Sequence, residues 1–124
     1  MILNRDGILG CIDVQIETVE VPQWKGSVYI KSLNGKERDA FESACLTGRG
    51  TRKELNLVNM RARLVAVSVV DEDGKLIFTE EDVQALGEKN AGALDLIFTA
   101  AQRLSGLGQK DVEELTKNSE PDQN

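Results

Sequence analysis

Between Asp13 and Val21 the chain alternates with a period of two, Val14, Ile16, Thr18 and Glu20 on one face and Gln15, Glu17, Val19 and Val21 on the other. That period is the mark of a half-buried strand, and Pro22, which has no N–H for a ladder, sets its end or an exposed edge. Trp24, Lys25 and Gly26 supply turn chemistry, and Ser27 to Leu33 reads as the return strand of a hairpin. The period then lengthens. Asn34 with Glu37 three residues on has capping-box spacing, and Ala40, Phe41, Ala44 and Cys45 form the apolar stripe of a helix that ends before Gly48. From Arg63, Leu64, Ala66 and Ser68 alternate with Val65, Val67 and Val69, a β-branched run that predicts a strand stopping at Asp71. Glu72, Asp73 and Gly74 predict a tight turn, and Leu76 to Phe78 the returning strand. Thr79 and Asp82 form a variant capping box, and Phe78 and Val83 fall at the positions of a hydrophobic staple, so a helix is expected from Thr79 to Gly87. A further helix is expected over about Asn90 to Ser105, with Leu94, Ile97, Phe98, Ala101 and Leu104 as its buried face and Gly106 as the left-handed residue that closes it.

The remaining segments carry weaker patterns. Asn4 to Leu9 predicts one capped helical turn, with Ile8 and Leu9 as apolar contacts that anchor the N-terminus. Leu55, Leu57, Val58 and Met60 fit a short helix or the start of the following strand equally well. Thr47 to Lys53 (TGRGTRK) reads as a mobile loop, Gln109 to Lys117 as a short helix with Val112 and Leu115 inward, and 118–124 as a disordered polar tail. The expectation is a single α+β domain over 1–117: two β-hairpins, each followed by a helix, with mostly antiparallel strands packed against C-terminal helices.

Composition changes this picture in one respect. Only 4% of residues are aromatic against 40% hydrophobic, so the core is built from Val, Leu, Ile and Ala. The net charge of −6 argues against nucleic acid and anionic membrane as partners, since both attract a surplus of Lys and Arg. Basic residues do gather locally: Arg49, Arg52, Lys53, Arg61 and Arg63 face only Glu54, which makes either a solvated loop and strand face or a positive strip. No apolar run reaches the ~20 residues of a membrane helix. Cys11 and Cys45 without a secretory signal point to a reducing cytoplasm and two buried thiols.

Candidate chemistry is sparse. A calcium loop counted from Asp71 would need glycine sixth and glutamate twelfth, but Leu76 and Asp82 stand there, so the segment is a turn. Glu80, Glu81 and Asp82 sit in a helix's first turn, where the helix dipole explains them. With no histidine, no CxxC pair and no nucleotide-binding or nucleophile-elbow motif, no catalytic residue, metal ligand or cofactor is expected, and the chain reads as a non-enzyme. Trp24 either folds back onto the core or stands as a partner-binding anchor at a hairpin tip.

The order of segments NRDGIL, VEVPQW with its return strand, LNGKERDAFE, RARLVAVSVVDEDGKLIFTEEDVQAL, ALDLIFTAAQRLSGL and EELTKNS spans nearly the whole chain. Taken together it resembles the tail assembly chaperones of long-tailed bacteriophages and prophages. The resemblance implies a non-catalytic, self-associating protein of the host bacterial cytoplasm. It would coat the aggregation-prone tape measure protein, be displaced by tail tube subunits, and be absent from the finished virion. It also implies a longer frameshifted form of the same chain, for which codons of Thr116, Lys117 and Asn118 could supply a slippery heptamer. The family offers no motif of contact residues to carry over. Pro22 and Trp24 at the first hairpin, then Arg49, Arg52 and Lys53 in the loop, are the candidates. The competing readings are a small structural subunit, such as a head-tail connector or tail-completion protein, and a nucleic-acid-binding regulator resting on the basic strip alone.

Overall fold

The computed structural model describes residues 1–47, 54–55 and 59–107. Asn4 caps helix α1 (Arg5–Leu9) by accepting the Gly7 N–H at 2.8 Å. Strands β1 (Ile16–Val21) and β2 (Gly26–Lys31) then pair antiparallel, Ile16 opposite Lys31 and Val21 opposite Gly26. Their connection is a 3-10 turn over Pro22–Trp24 closed by Lys25 in the left-handed conformation. Helix α2 (Gly35–Ala44) begins with both bonds of the expected capping box, Asn34 Oδ1 accepting from Glu37 N–H at 2.8 Å and Glu37 Oε1 from Asn34 N–H at 3.0 Å. Two two-residue strands, β3 (Leu46–Thr47) and β4 (Glu54–Leu55), follow as an antiparallel pair. Leu55 is thus extended, but paired with β3 and not as the start of a following long strand, and Met60 opens a helix.

The segment read as the second long strand is a helix. α3 (Met60–Ser68) takes up all but the end of the β-branched run, and only β5 (Val69–Val70) is extended, pairing with β2 to complete a three-stranded antiparallel sheet in the order β1-β2-β5. The reason is burial on several sides at once. Met60, Ala62, Leu64, Val65, Ala66 and Ser68 are all buried, with α2, α4 (Val83–Gly87) and α5 (Ala91–Leu104) packed around the helix. A helix satisfies its backbone internally and can be surrounded by side chains, whereas a strand at this place would need a ladder partner on each edge. Each buried Leu or Val there contributes roughly 1.5–3 kcal/mol, more than the spread of β over α preference.

The predicted turn stands although its strands shrink. Asp71 Oδ1 accepts from the N–H groups of Asp73 (2.8 Å) and Lys75 (3.0 Å), and Gly74 has φ +80°. The return strand is reduced to the single bridge Val70 to Leu76. Thr79 N–H donates to Asp82 Oδ2 at 2.8 Å, and a 3-10 turn over Glu80–Asp82 leads into α4, which ends at Gly87 as expected. α5 carries the predicted face, Leu94, Ile97, Phe98 and Ala101 being buried and Leu104 half-buried, and Gly106 follows with φ +71°. It covers one face of the sheet.

Three finer expectations are corrected. Ile8 and Leu9 are exposed and no residue of α1 is buried, so the N-terminal turn is capped but not anchored. In α2 only Phe41 and Cys45 reach the core, while Ala40 and Ala44 face out; their single methyls gain too little to turn the helix further. Cys11 is an exposed thiol, its Sγ donating to Gly7 O, and Cys45 alone is buried. The helix expected over 109–117, the tail 118–124, Thr116 to Asn118, most of the loop after Thr47, and Leu57 and Val58 lie outside the described residues.

Candidate interaction surface

The sheet's period of two decides which side chains reach solvent. Val19 and Val21 on β1 and Val28 and Ile30 on β2 turn toward α5, so Ile16, Thr18 and Tyr29 turn to the open face. On the same face Val70 stands opposite Tyr29, and Leu76 opposite Val70. Ile16, Tyr29 and Leu76 remain exposed there while Val70 is buried. β1 is an edge strand, its outer N–H and C=O groups outside the ladder. Beside it runs a groove of about 450 Å³ between β1 and α5, with Val19, Leu96 and Ala100 in its lining.

Apolar exposure is concentrated further upstream. Among the described residues, eight of the twelve exposed large hydrophobic side chains lie within residues 1–16, including Ile2 at 98% and Ile12 at 93% of full exposure. An apolar segment of this kind, next to an open strand edge, is suited to protein contact and not to bond-making chemistry.

Several arginines are matched by carboxylates on the chain itself. Arg61 pairs with Asp95 at 2.6 Å and lies 5.7 Å from the centroid of the Phe98 ring. Arg63 pairs with Glu80, and Arg103 with Glu17. Arg61 and Arg63 thus sit on a helix with acidic partners and form no positive strip between them. A second cleft, about 640 Å³, opens between the start of β1 and the start of α2, and its Lys31 and Glu37 pair at 2.6 Å. Burial pushes the Glu37 carboxyl up, but the Asn34 N–H and the Lys31 ammonium outweigh it and hold the group below its usual range. Burial also pushes the Cys45 thiol up to about 11, Arg63 opposing and Glu42 adding to the shift. Among the described residues no three His, Cys, Asp or Glu side chains gather as a metal site, and no helix is long and apolar enough to cross a membrane.

Of the residues singled out from sequence, Pro22 is exposed at the hairpin tip, and Trp24 is half-buried and packed against the core, the first of its two alternatives. Arg49, Arg52 and Lys53 lie outside the described residues. The apolar residues Ile12, Val14, Ile16 and Leu96 were not singled out. A signal for two of them was present: both faces of the β1 pattern mix apolar with charged residues, so either orientation leaves apolar side chains in water.

A family model of phage tail assembly chaperones matches residues 13–118. The chain belongs to that family. The tail assembly chaperone match begins at Asp13 and so takes in the sheet and the helices around α3, but leaves residues 1–12 outside. No curated protein and no solved structure shows significant similarity to this tail assembly chaperone.

Proposed function

We propose that this tail assembly chaperone binds the tape measure protein and keeps it soluble while the tail is built, acting without catalysis in the host bacterial cytoplasm. The family match over residues 13–118 carries the general role. The exposed apolar side chains Ile16, Tyr29 and Leu76 on the open face of the sheet support binding of a protein chain that would otherwise aggregate. In this reading the chaperone self-associates, works beside a longer frameshifted form of itself, and gives way to tail tube subunits. Its residues 1–117 act as one domain, with neither nucleic acid nor membrane as a partner. Pro22 and Trp24, with Arg49, Arg52 and Lys53, remain the first contacts to substitute.

The test is coexpression with the tape measure protein encoded in the same genome, scoring the latter's soluble fraction and its copurification with this chain. Solubilisation with copurification is the expected result. A tape measure protein that stays insoluble and unbound, even with the long form supplied, removes the proposal. Persistence of the chain in finished particles would assign it to a structural subunit instead. A gene without a slippery heptamer near codons 116–118 removes the long form.

A further inference from the structure

Residues 1–12 form an apolar arm none of whose residues is buried. Ile2, Leu3, Ile8, Leu9 and Ile12 are all exposed, and a five-residue helix cannot stand on local bonds alone. The arm is formally neutral, Arg5 balancing Asp6, so the whole net charge of −6 belongs to the rest of the chain. We propose that this arm docks on a second copy of the chain, in the groove between β1 and α5, with its extended part adding to the free edge of β1.

The groove suits such an occupant. Its apolar lining, Val19, Leu96 and Ala100, lies along a strand edge open to main-chain pairing. The ionic groups around it are compensated in place, Glu17 by Arg103 and Asp95 by Arg61. A neutral apolar segment therefore fits there, while a strongly charged one would find no free counter-charge among these groups. A neutral arm also lets two acidic bodies associate without pressing their like charges together.

The direction of the chain favours another copy over self-docking. Gln15 N–H donates to Ser32 Oγ at 2.9 Å and Gln15 O accepts from Ser32 N–H at 2.8 Å, so the backbone still runs in line with β1 as it leaves the sheet. Folding straight back onto its own β1 as a two-residue hairpin would need the reversal at Asp13 and Val14. Such hairpin turns favour positive φ, which a β-branched residue avoids. Among the described residues the only non-glycine positions with positive φ are Lys25 and Asn59. None of residues 1–12 lines the groove of its own copy, and the same groove is present on every other copy.

This docking rests on the reading of the chain as self-associating, and the experiment separates the two. Sedimentation of the full chain at micromolar concentrations would be compared with an arm variant (Ile8→Asp, Leu9→Asp, Ile12→Asp) and a groove variant (Leu96→Glu). All four positions are exposed, and helical circular dichroism checks that each variant folds. The unmodified chain should sediment as an oligomer and each variant as a monomer. An equimolar mixture of the two variants should recover a one-to-one dimer through the one intact arm and the one intact groove. Oligomers that survive both changes, or a mixture that does not pair, overturn the arm contact while leaving self-association in place. An unmodified chain that is monomeric throughout overturns both. A monomeric chain whose arm variant melts earlier places the arm on its own body. A monomeric chain that captures the tape measure protein only with its arm intact gives the arm to that partner, and either of these last two results also ends the proposal.

Discussion

Substituting Gly87 with alanine tests how closely α3 and α4 approach. A β-carbon on Gly87 would stand 2.1 Å from Asn59 Oδ1, 3.1 Å from Asn59 Cγ and 3.9 Å from Ala62 Cβ. Asn59 is half-buried and its backbone is left-handed with φ 65° as it leads into α3, so its side chain must turn to another rotamer to make room. Overpacking of this kind costs about 1–3 kcal/mol. Replacing glycine at a helix end returns at most about 1 kcal/mol of backbone entropy. The net expectation for Gly87→Ala is a loss of about 1–2 kcal/mol, read in urea denaturation as a midpoint lower by roughly 0.5–1 M. Asn59→Gly removes the obstructing carboxamide at a position whose φ suits glycine. In that background Gly87→Ala should be neutral or stabilising, a coupling of about 1–3 kcal/mol between the two sites. A Gly87→Ala protein as stable as the parent, or one equally destabilised in both backgrounds, would refute the close approach.

Ser68 Oγ is fully buried with no hydrogen-bond partner, so Ser68→Ala should raise stability by about 1 kcal/mol, and a lower melting temperature would show that the hydroxyl is satisfied in solution. A thiol reagent near neutral pH should modify Cys11 in the native chain and reach Cys45 only after denaturation, since Cys45 is buried with its thiol raised to about 11; comparable rates at both would contradict the burial. Because the Glu37 carboxyl is held below its usual range, the unfolded chain binds more protons than the native one as acid is added. The Lys31 and Glu37 contribution should therefore be complete above the ordinary glutamate pKa of about 4.3 and vanish as pH falls through the lower native value. Glu37→Gln should flatten that part of the melting-temperature profile, and an unchanged acid limb would remove Glu37 as its source.

Much of the architecture is written in local chemistry. The caps at Asn4, Asn34 and Thr79, the turn at Asp71 to Gly74 and the stripe of α5 each depend on a few neighbouring residues, and each is where its pattern puts it. α3 shows where locality ends. Its residues present no polar face that would distinguish periods of 2 and 3.6, and its β-branched valines favour the wrong answer. What selects the helix is the surrounding shell of α2, α4 and α5, which no window on residues 60–70 contains. The candidate surface divides in the same way. Trp24 invites attention by type, yet is half-buried against the core, whereas Ile8 and Leu9 read as ordinary contacts until the fold leaves them without one.

The late position of α5, which covers the sheet, has a consequence for synthesis on the ribosome. The Leu33 N–H at the end of the first hairpin donates to Ser105 Oγ, 72 positions on, and Leu107 is fully buried in the same body. At 5–20 residues per second, that partner follows by about 4–14 s. During that interval the inward side of the nascent hairpin, Val19, Val28 and Ile30, has no α5 to cover it. A protein whose family serves the assembly of other chains thus passes through a stage in which its own apolar surface is unprotected.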